Sequence, residues 1–218
     1  MPQRHIYLQD TYHFTVESRV ADAGTTDKGP WVELEENIFH PQGGGQPSDR
    51  GTVAEAQAHP FKVPGEGGHV VRLASTREFQ VGEQVTSSID PELRRLHAAL
   101  HTCGHVVDGF IRALGFSHKV SNHFPGQARI EFEVGAERPD LDQLAAKVEE
   151  RTRLAIEADH KVSATDRGDQ RIVVIDGLTE DPCGGTHVAS LSQLTGFSLR
   201  SLKIKGGVLK VGYTVGHA

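Results

Sequence analysis

At Asp90 the chain changes character, and that change constrains the fold more than any other feature of the sequence. Asp90 suits a helix N-cap, Pro91 the first helical position, and Glu92 complements the positive end of the helix dipole. Apolar residues then recur at Leu96, Leu100, Cys103, Val107, Phe110, Ile111 and Leu114, a helical stripe that Gly115 is placed to terminate. No comparable stripe precedes Ser88. There, His13 to Val20 alternates apolar and polar residues, as does Trp31 to Leu34 more briefly. Turns are marked by Ala23-Gly24, Lys28-Gly29-Pro30 and the run Gly43-Gly44-Gly45-Gln46-Pro47. Residues 1–88 are therefore expected to form a small β-rich, barrel-like domain, and residues 89–218 a second domain.

The second half mixes helix and strand. A further helix is expected from about Pro139 to Ala158, with Leu141, Leu144, Ala145, Val148 and Leu154 on its apolar side. Between the helices, Gln127 to Val134 alternates, with Ala128, Ile130, Phe132 and Val134 sharing one face. Arg171 to Ile175 reads as a buried strand. Phe197 to Ile204 and Val208 to Val215 flank Gly206-Gly207, the turn of a hairpin. The expected class is α+β, with an antiparallel sheet packed against helices. At 218 residues the chain is long enough for one large domain or two small ones.

Composition narrows the function. Hydrophobic residues make up 37% and charged residues 24%, as in ordinary globular proteins. No apolar run approaches the roughly 18 residues of a membrane helix, and the start, Met1-Pro2-Gln3-Arg4-His5, lacks the apolar stretch of a signal peptide. Two cysteines, Cys103 and Cys183, fit cytoplasmic thiols or metal ligands better than a disulfide framework. A net charge of -6 argues against indiscriminate attraction to nucleic-acid phosphates, while leaving room for a local basic patch.

The chemistry gathers in two places. His97, His101 and His105 follow one another at helical i, i+4 spacing, beside the apolar stripe rather than within it. Two such imidazoles can grip one metal ion; taken alone, they read equally as polar residues facing solvent. Position 98 is Ala, so the general base of an HExxH protease is missing. The second place is Asp181-Pro182-Cys183-Gly184-Gly185-Thr186-His187-Val188, where two glycines allow a turn that aims a thiol and an imidazole inward. A buried cysteine and a turn histidine would account for CxxxH alone. Joined to HxxxH, it completes a tetrahedral set of three nitrogens and one thiolate, which selects zinc over magnesium or calcium.

These residues resemble a known family. Arg94-Arg95-Leu96-His97-Ala98-Ala99-Leu100-His101 is similar to the HxxxH helix shared by the editing domains of alanyl- and threonyl-tRNA synthetases, and Cys183-Gly184-Gly185-Thr186-His187-Val188 resembles the alanyl form of their CxxxH signature. The stretch Phe39-His40-Pro41-Gln42-Gly43-Gly44-Gly45-Gln46-Pro47-Ser48-Asp49-Arg50-Gly51 resembles the glycine-rich element of the alanyl branch, with the nearest likeness to the free-standing AlaX editing proteins of medium length. The resemblance implies zinc ligands at His97, His101, Cys183 and His187, with Gln46 reaching the substrate pocket and Thr186 a second polar pocket residue. His101 and His105 also satisfy HxxxH. The earlier pair is preferred because Arg94-Arg95-Leu96 stands where the family motif expects it, which leaves His105 and Asp108 as outer-sphere or RNA-contact candidates.

The implied activity is hydrolysis, in trans and without ATP, of the ester on tRNA(Ala) mischarged with serine or glycine. A pocket sized for alanine rejects an added hydroxyl by only about a hundredfold. A second site whose buried polar groups must bond the serine hydroxyl reaches roughly 10⁴-fold. Candidate tRNA contacts are Arg94, Arg95, Lys203, Lys205 and Lys210, each of which reads equally as a solvated cation. No membrane and no obligate protein partner is implied. Two other readings use the same residues: a zinc-stabilised tRNA-binding module without catalysis, and a metallohydrolase of a small ester.

Overall fold

Alternating apolar residues in the first half build strands that close on themselves. In a computed structural model, which describes residues 2–65, 68–135 and 138–218, the first elements are β1 (Arg4–His5), the single-turn α1 (Ile6–Gln9), β2 (Thr15–Thr26), β3 (Gly29–Leu34), β4 (Glu36–Asn37), β5 (Gly51–Val53), β6 (Ala56–Gly65), β7 (Gly68–Ser75) and β8 (Gln84–Ile89). Six of them form a closed barrel in the order β2-β3-β7-β6-β5-β8, and every pairing in it is antiparallel. Closure removes the exposed sheet edges that would otherwise invite aggregation. Val20, Val32, Leu34, Val53, Ala58, Val71 and Leu73 fill its interior. The turn expected at Ala23-Gly24 is absent. Both residues continue β2 past a register shift, and Gly24 pairs with Trp31, whose ring stands 2.8 Å from where a Cβ on residue 24 would lie. The glycine therefore makes room for the indole rather than a bend.

The rest of the chain comprises α2 (Pro91–Ala113), β9 (Ser117–Asn122), β10 (Arg129–Glu133), α3 (Leu141–Glu157), β11 (Val162–Arg167), β12 (Gln170–Ile175), β13 (Thr179–Pro182), a single 3-10 turn, β14 (Leu194–Lys205) and β15 (Val208–His217). The start of α2 follows its signals: the Asp90 carboxylate accepts from the Leu93 N–H at 3.0 Å, and after the helix Gly115 adopts φ +93°. Asp140 caps α3. A four-stranded antiparallel sheet runs β14-β15-β10-β9, and a three-stranded one β11-β12-β13. Gly206 and Gly207, at φ +59° and +75°, make the β14–β15 turn. Leu100, Cys103, Val107 and Ile111 of α2 bury against Ile130, Phe132, Leu209 and Val211 of the sheet. Truncating a side chain such as Phe132 in this core would cost about 3–5 kcal/mol. Mostly antiparallel sheets with helices make the class α+β, as expected.

By contacts the chain divides into two compact units. One comprises Met1–Gly43 and Pro47–Arg95; the other takes Gly44–Gln46 together with Leu96–Ala218. Arg94, expected at an RNA surface, belongs to the interior of the first. Its guanidinium is fully buried and pairs bidentately with Asp49, also donating to the carbonyls of Thr11 and Ile38. A cation so enclosed reaches no phosphate; it ties the start of α2 to the segment after the glycine run. Arg95 lies over the Phe14 ring and pairs with Glu92.

Candidate metal centre

The i, i+4 spacing along α2 and the CGGTH turn after β13 bring four donors together. His101, His105, Cys183 and His187 place one ligand atom each within 4.8 Å of all the others. His97 lies outside this group. Of the two HxxxH pairs, the second, His101 and His105, is the one this group contains. A full helical turn separates the two choices, and only the approach of β13 and its turn selects between them.

The separations fit a metal. Cys183 Sγ lies 3.5 Å from His101 Nε2 and 3.3 Å from His187 Nε2. Zinc–sulfur and zinc–nitrogen bonds at tetrahedral angles put such atoms about 3.5 Å apart. The other nitrogen of each imidazole is held by the protein: His101 Nδ1 is 2.8 Å from Gln46 Oε1, His187 Nδ1 is 3.1 Å from Thr102 Oγ1, and His105 Nδ1 is 3.3 Å from an Asp181 oxygen. Partners of this kind fix the ring and leave Nε2 for a metal. Gly185 N–H points at Cys183 Sγ at 3.4 Å, and Arg171 holds the turn through the carbonyls of Cys183 and Gly185. Only one of the two turn glycines is forced by packing. A Cβ on residue 185 would sit 2.2 Å from the His101 ring, whereas residue 184 faces open space.

Electrostatics follow the geometry. Burial would lower the His105 pKa, but its hydrogen bonds with Asp181 and Cys183 outweigh that and raise it to about 9. Burial would raise the Cys183 thiol; His105, the Gly185 amide and Arg171 hold it below its ordinary value instead. Cys103, buried in the apolar core, has its thiol pushed far up and is inert.

A cavity of about 580 Å³ opens beside the cluster, lined by residues that include His101, His105, Cys183, Asp108, Ser121 and His123. One wall is a chain of ion pairs. Asp181 bridges His105 and Arg112, and Arg112 Nε reaches Asp108 at 2.6 Å, which in turn meets His118 at 2.6 Å. Gln46 and Thr186 are not on its surface. Both are wholly buried, with Gln46 Nε2 donating to Thr186 Oγ1 at 2.9 Å and Gln46 Oε1 accepting the Thr186 N–H at 3.0 Å. They support His101 and the turn from behind. His123 was not singled out by sequence reasoning, since a lone histidine between strands carries no spacing signal. It stacks on His101 at 4.5 Å between centroids, and burial, with the charges of His105 and His118, lowers its pKa to about 3.

A three-imidazole, one-thiolate cluster beside a cavity of this size defines a candidate metal-binding protein with room for a small substrate. No protein-family model matches the chain. Individual relatives do. The alanyl-tRNA editing protein AlaX-M of Methanosarcina barkeri is 28% identical over 230 residues, spanning 92% of this chain and 93% of the relative. The AlaX-M protein of Pyrococcus horikoshii is 27% identical over 197 residues, or 88% and 87%. An alanine–tRNA ligase of Caldivirga maquilingensis is 27% identical over 245 residues, covering 99% of this chain and 27% of the ligase. The chain is thus similar to alanyl-tRNA editing proteins along nearly its whole length. Among the described residues, no helix is long and apolar enough to cross a membrane.

Proposed function

We propose that the chain is a trans-editing hydrolase that releases serine from mischarged tRNA(Ala), with glycine a secondary target, and with zinc held by His101, His105, Cys183 and His187. The observation that carries this reading is the four-donor cluster beside the cavity, in a chain whose relatives are named for alanyl-tRNA editing. On this reading residues 1–88 supply the β-rich domain and 89–218 the editing domain, which also uses Gly44–Gln46, and the protein works in the cytoplasm, where tRNA is charged.

Zinc bound there supplies a fixed positive centre at the inner wall of the cavity. The chain's own groups do the rest. Gln46, Thr102 and Asp181 orient the imidazoles, and the Asp108–Arg112–Asp181 wall fixes the mouth of the cavity. The ester of an aminoacyl-tRNA is already activated, so positioning it against a water within the cavity supplies much of the acceleration required. For the tRNA, Lys203, Lys205 and Lys210 share the outer face of the four-stranded sheet with Arg129 and Arg200, around a groove of about 460 Å³. Lys203 stands directly opposite Lys210, and Glu131 already pairs with Lys210 and Arg129, which leaves Lys203 and Lys205 as the lysines offered to a phosphate.

Deacylation of seryl-, glycyl- and alanyl-tRNA(Ala) by the native protein and by His101→Ala tests the reading. Loss of serine but not alanine, abolished by the substitution, is expected. Retained tRNA binding without release of any amino acid would leave a binding module, and hydrolysis of small esters without tRNA would leave a general metallohydrolase.

A further inference from the structure

His123 occupies a slot that the fold builds for it. Its backbone N–H donates to Gly45 O at 2.8 Å. A Cβ on Gly45 would lie 3.0 Å from the ring, and one on Gly104 of α2 only 2.3 Å from it. A glycine inside a helix costs about 1 kcal/mol against alanine, and here it admits the imidazole. With His101 stacked on its face, the ring has no room to turn.

Its proton is placed by the next two groups. Tyr213 Oη donates its single hydrogen to Leu100 O at 2.9 Å. It can therefore only accept from His123 Nδ1, which lies 2.7 Å away. With the proton on Nδ1, the neutral ring presents Nε2 as a bare acceptor. No hydrogen bond to Nε2 is formed among the described residues, and the ring lines the cavity next to the donor cluster. The neighbouring polar groups are engaged: Asp108, Arg112 and Asp181 with one another, and Gln46 with Thr186 and His101.

We propose that His123 is the specificity-determining residue of the cavity, its Nε2 accepting a hydrogen bond from the side-chain hydroxyl of the esterified serine. The inference rests on the editing reading for the identity of the substrate. The amino acid is the small end of an aminoacyl-tRNA and enters the cavity that His123 lines. A serine hydroxyl satisfies the acceptor. Alanine and glycine leave it desolvated and unpaired, a penalty of about 1–3 kcal/mol, or roughly tenfold to a hundredfold.

Binding of non-hydrolysable 3′-seryl- and 3′-alanyl-amide analogues of 3′-aminoadenosine to the zinc-loaded protein, measured by calorimetry, tests this apart from turnover. The native protein is expected to prefer the seryl analogue by at least about tenfold. His123→Phe is expected to erase that preference, weakening seryl binding and relieving the alanyl penalty, with one zinc ion per chain as the check that the site is intact. Tyr213→Phe, which frees the Nδ1 proton to move, is expected to weaken the preference without abolishing binding. A seryl preference that survives His123→Phe, or its absence from the native protein, overturns the assignment. A native protein that prefers the seryl analogue yet hydrolyses no aminoacyl-tRNA leaves His123 as the acceptor and refutes the editing reading alone.

Discussion

Gln46 Oε1 sits 2.8 Å from Nδ1 of His101, although 55 positions separate the two residues in the chain. The same oxygen accepts the backbone N–H of Thr186, so one amide orients a candidate ligand and anchors the turn that carries two more. The glycine run before Gln46 is thereby connected to the donor cluster through this amide, and its Gly44 and Gly45 line the cavity beside it.

Removing that support should loosen the metal. Gln46→Leu is expected to weaken zinc binding about 10- to 100-fold, the range for groups that orient a ligating imidazole, with the far-ultraviolet circular dichroism unchanged. Competition with a chelator of known affinity measures it. Zinc affinity within twofold of the native protein would show that His101 needs no such partner.

The two histidine pairs on α2 predict opposite results. His105→Ala removes a donor from the cluster and is expected to lower bound zinc well below one ion per chain. His97→Gln lies outside the cluster and is expected to retain full occupancy. Metal content by atomic emission after gel filtration decides between the pairs, and the reverse pattern would restore His97 as the ligand.

The buried Arg94–Asp49 pair should act on stability rather than on RNA. Arg94→Ala leaves the Asp49 carboxylate desolvated and alone, with an expected loss of about 3–5 kcal/mol in urea unfolding. Charge reversal at Lys203 and Lys205 should instead leave unfolding unchanged and flatten the dependence of tRNA affinity on salt. A normal unfolding curve for Arg94→Ala would contradict the buried pairing.

Acid should weaken the fold through His40. Burial, opposed by Asp49, lowers its pKa from 6.5 to about 3. In the unfolded chain His40 takes a proton near pH 6.5, whereas in the folded chain it stays neutral until about pH 3. Its contribution to stability is therefore complete above pH 6.5 and is lost as the pH falls from there through about 3. Each pH unit inside that window removes up to about 1.4 kcal/mol. Urea unfolding of the native protein and of His40→Gln between pH 7 and 4 should show a shallower decline for the variant; parallel curves would remove His40 from the account.

Local signals carried much of the fold. Asp90-Pro91-Glu92 fixed where α2 starts because capping is a matter of neighbours, and Gly206-Gly207 marked a hairpin because few other residues accept those backbone angles. The donor residues were legible as types and spacings, but the choice between His97 and His105 was not, since the same period of four fits both pairs. Gly24 reads as a turn until Trp31 is seen beside it. Arg94 reads as a free cation until Asp49 is placed against it. His123 depends on Gly45, Gly104, Tyr213 and Leu100, which lie far apart in the chain, and no local pattern announces such a meeting.

Three hydrogens set the dimensions of this site. At Gly45, Gly104 and Gly185 a methyl would fall 2.2 to 3.0 Å from the rings of His123 or His101, so the cavity is shaped as much by missing carbons as by the side chains that line it. A scan that replaces each residue with alanine to find what matters would treat these positions as already small and pass over them. Read the other way, glycine-to-alanine becomes the most disruptive single-carbon change available here, an addition that moves imidazoles while leaving every donor in the sequence.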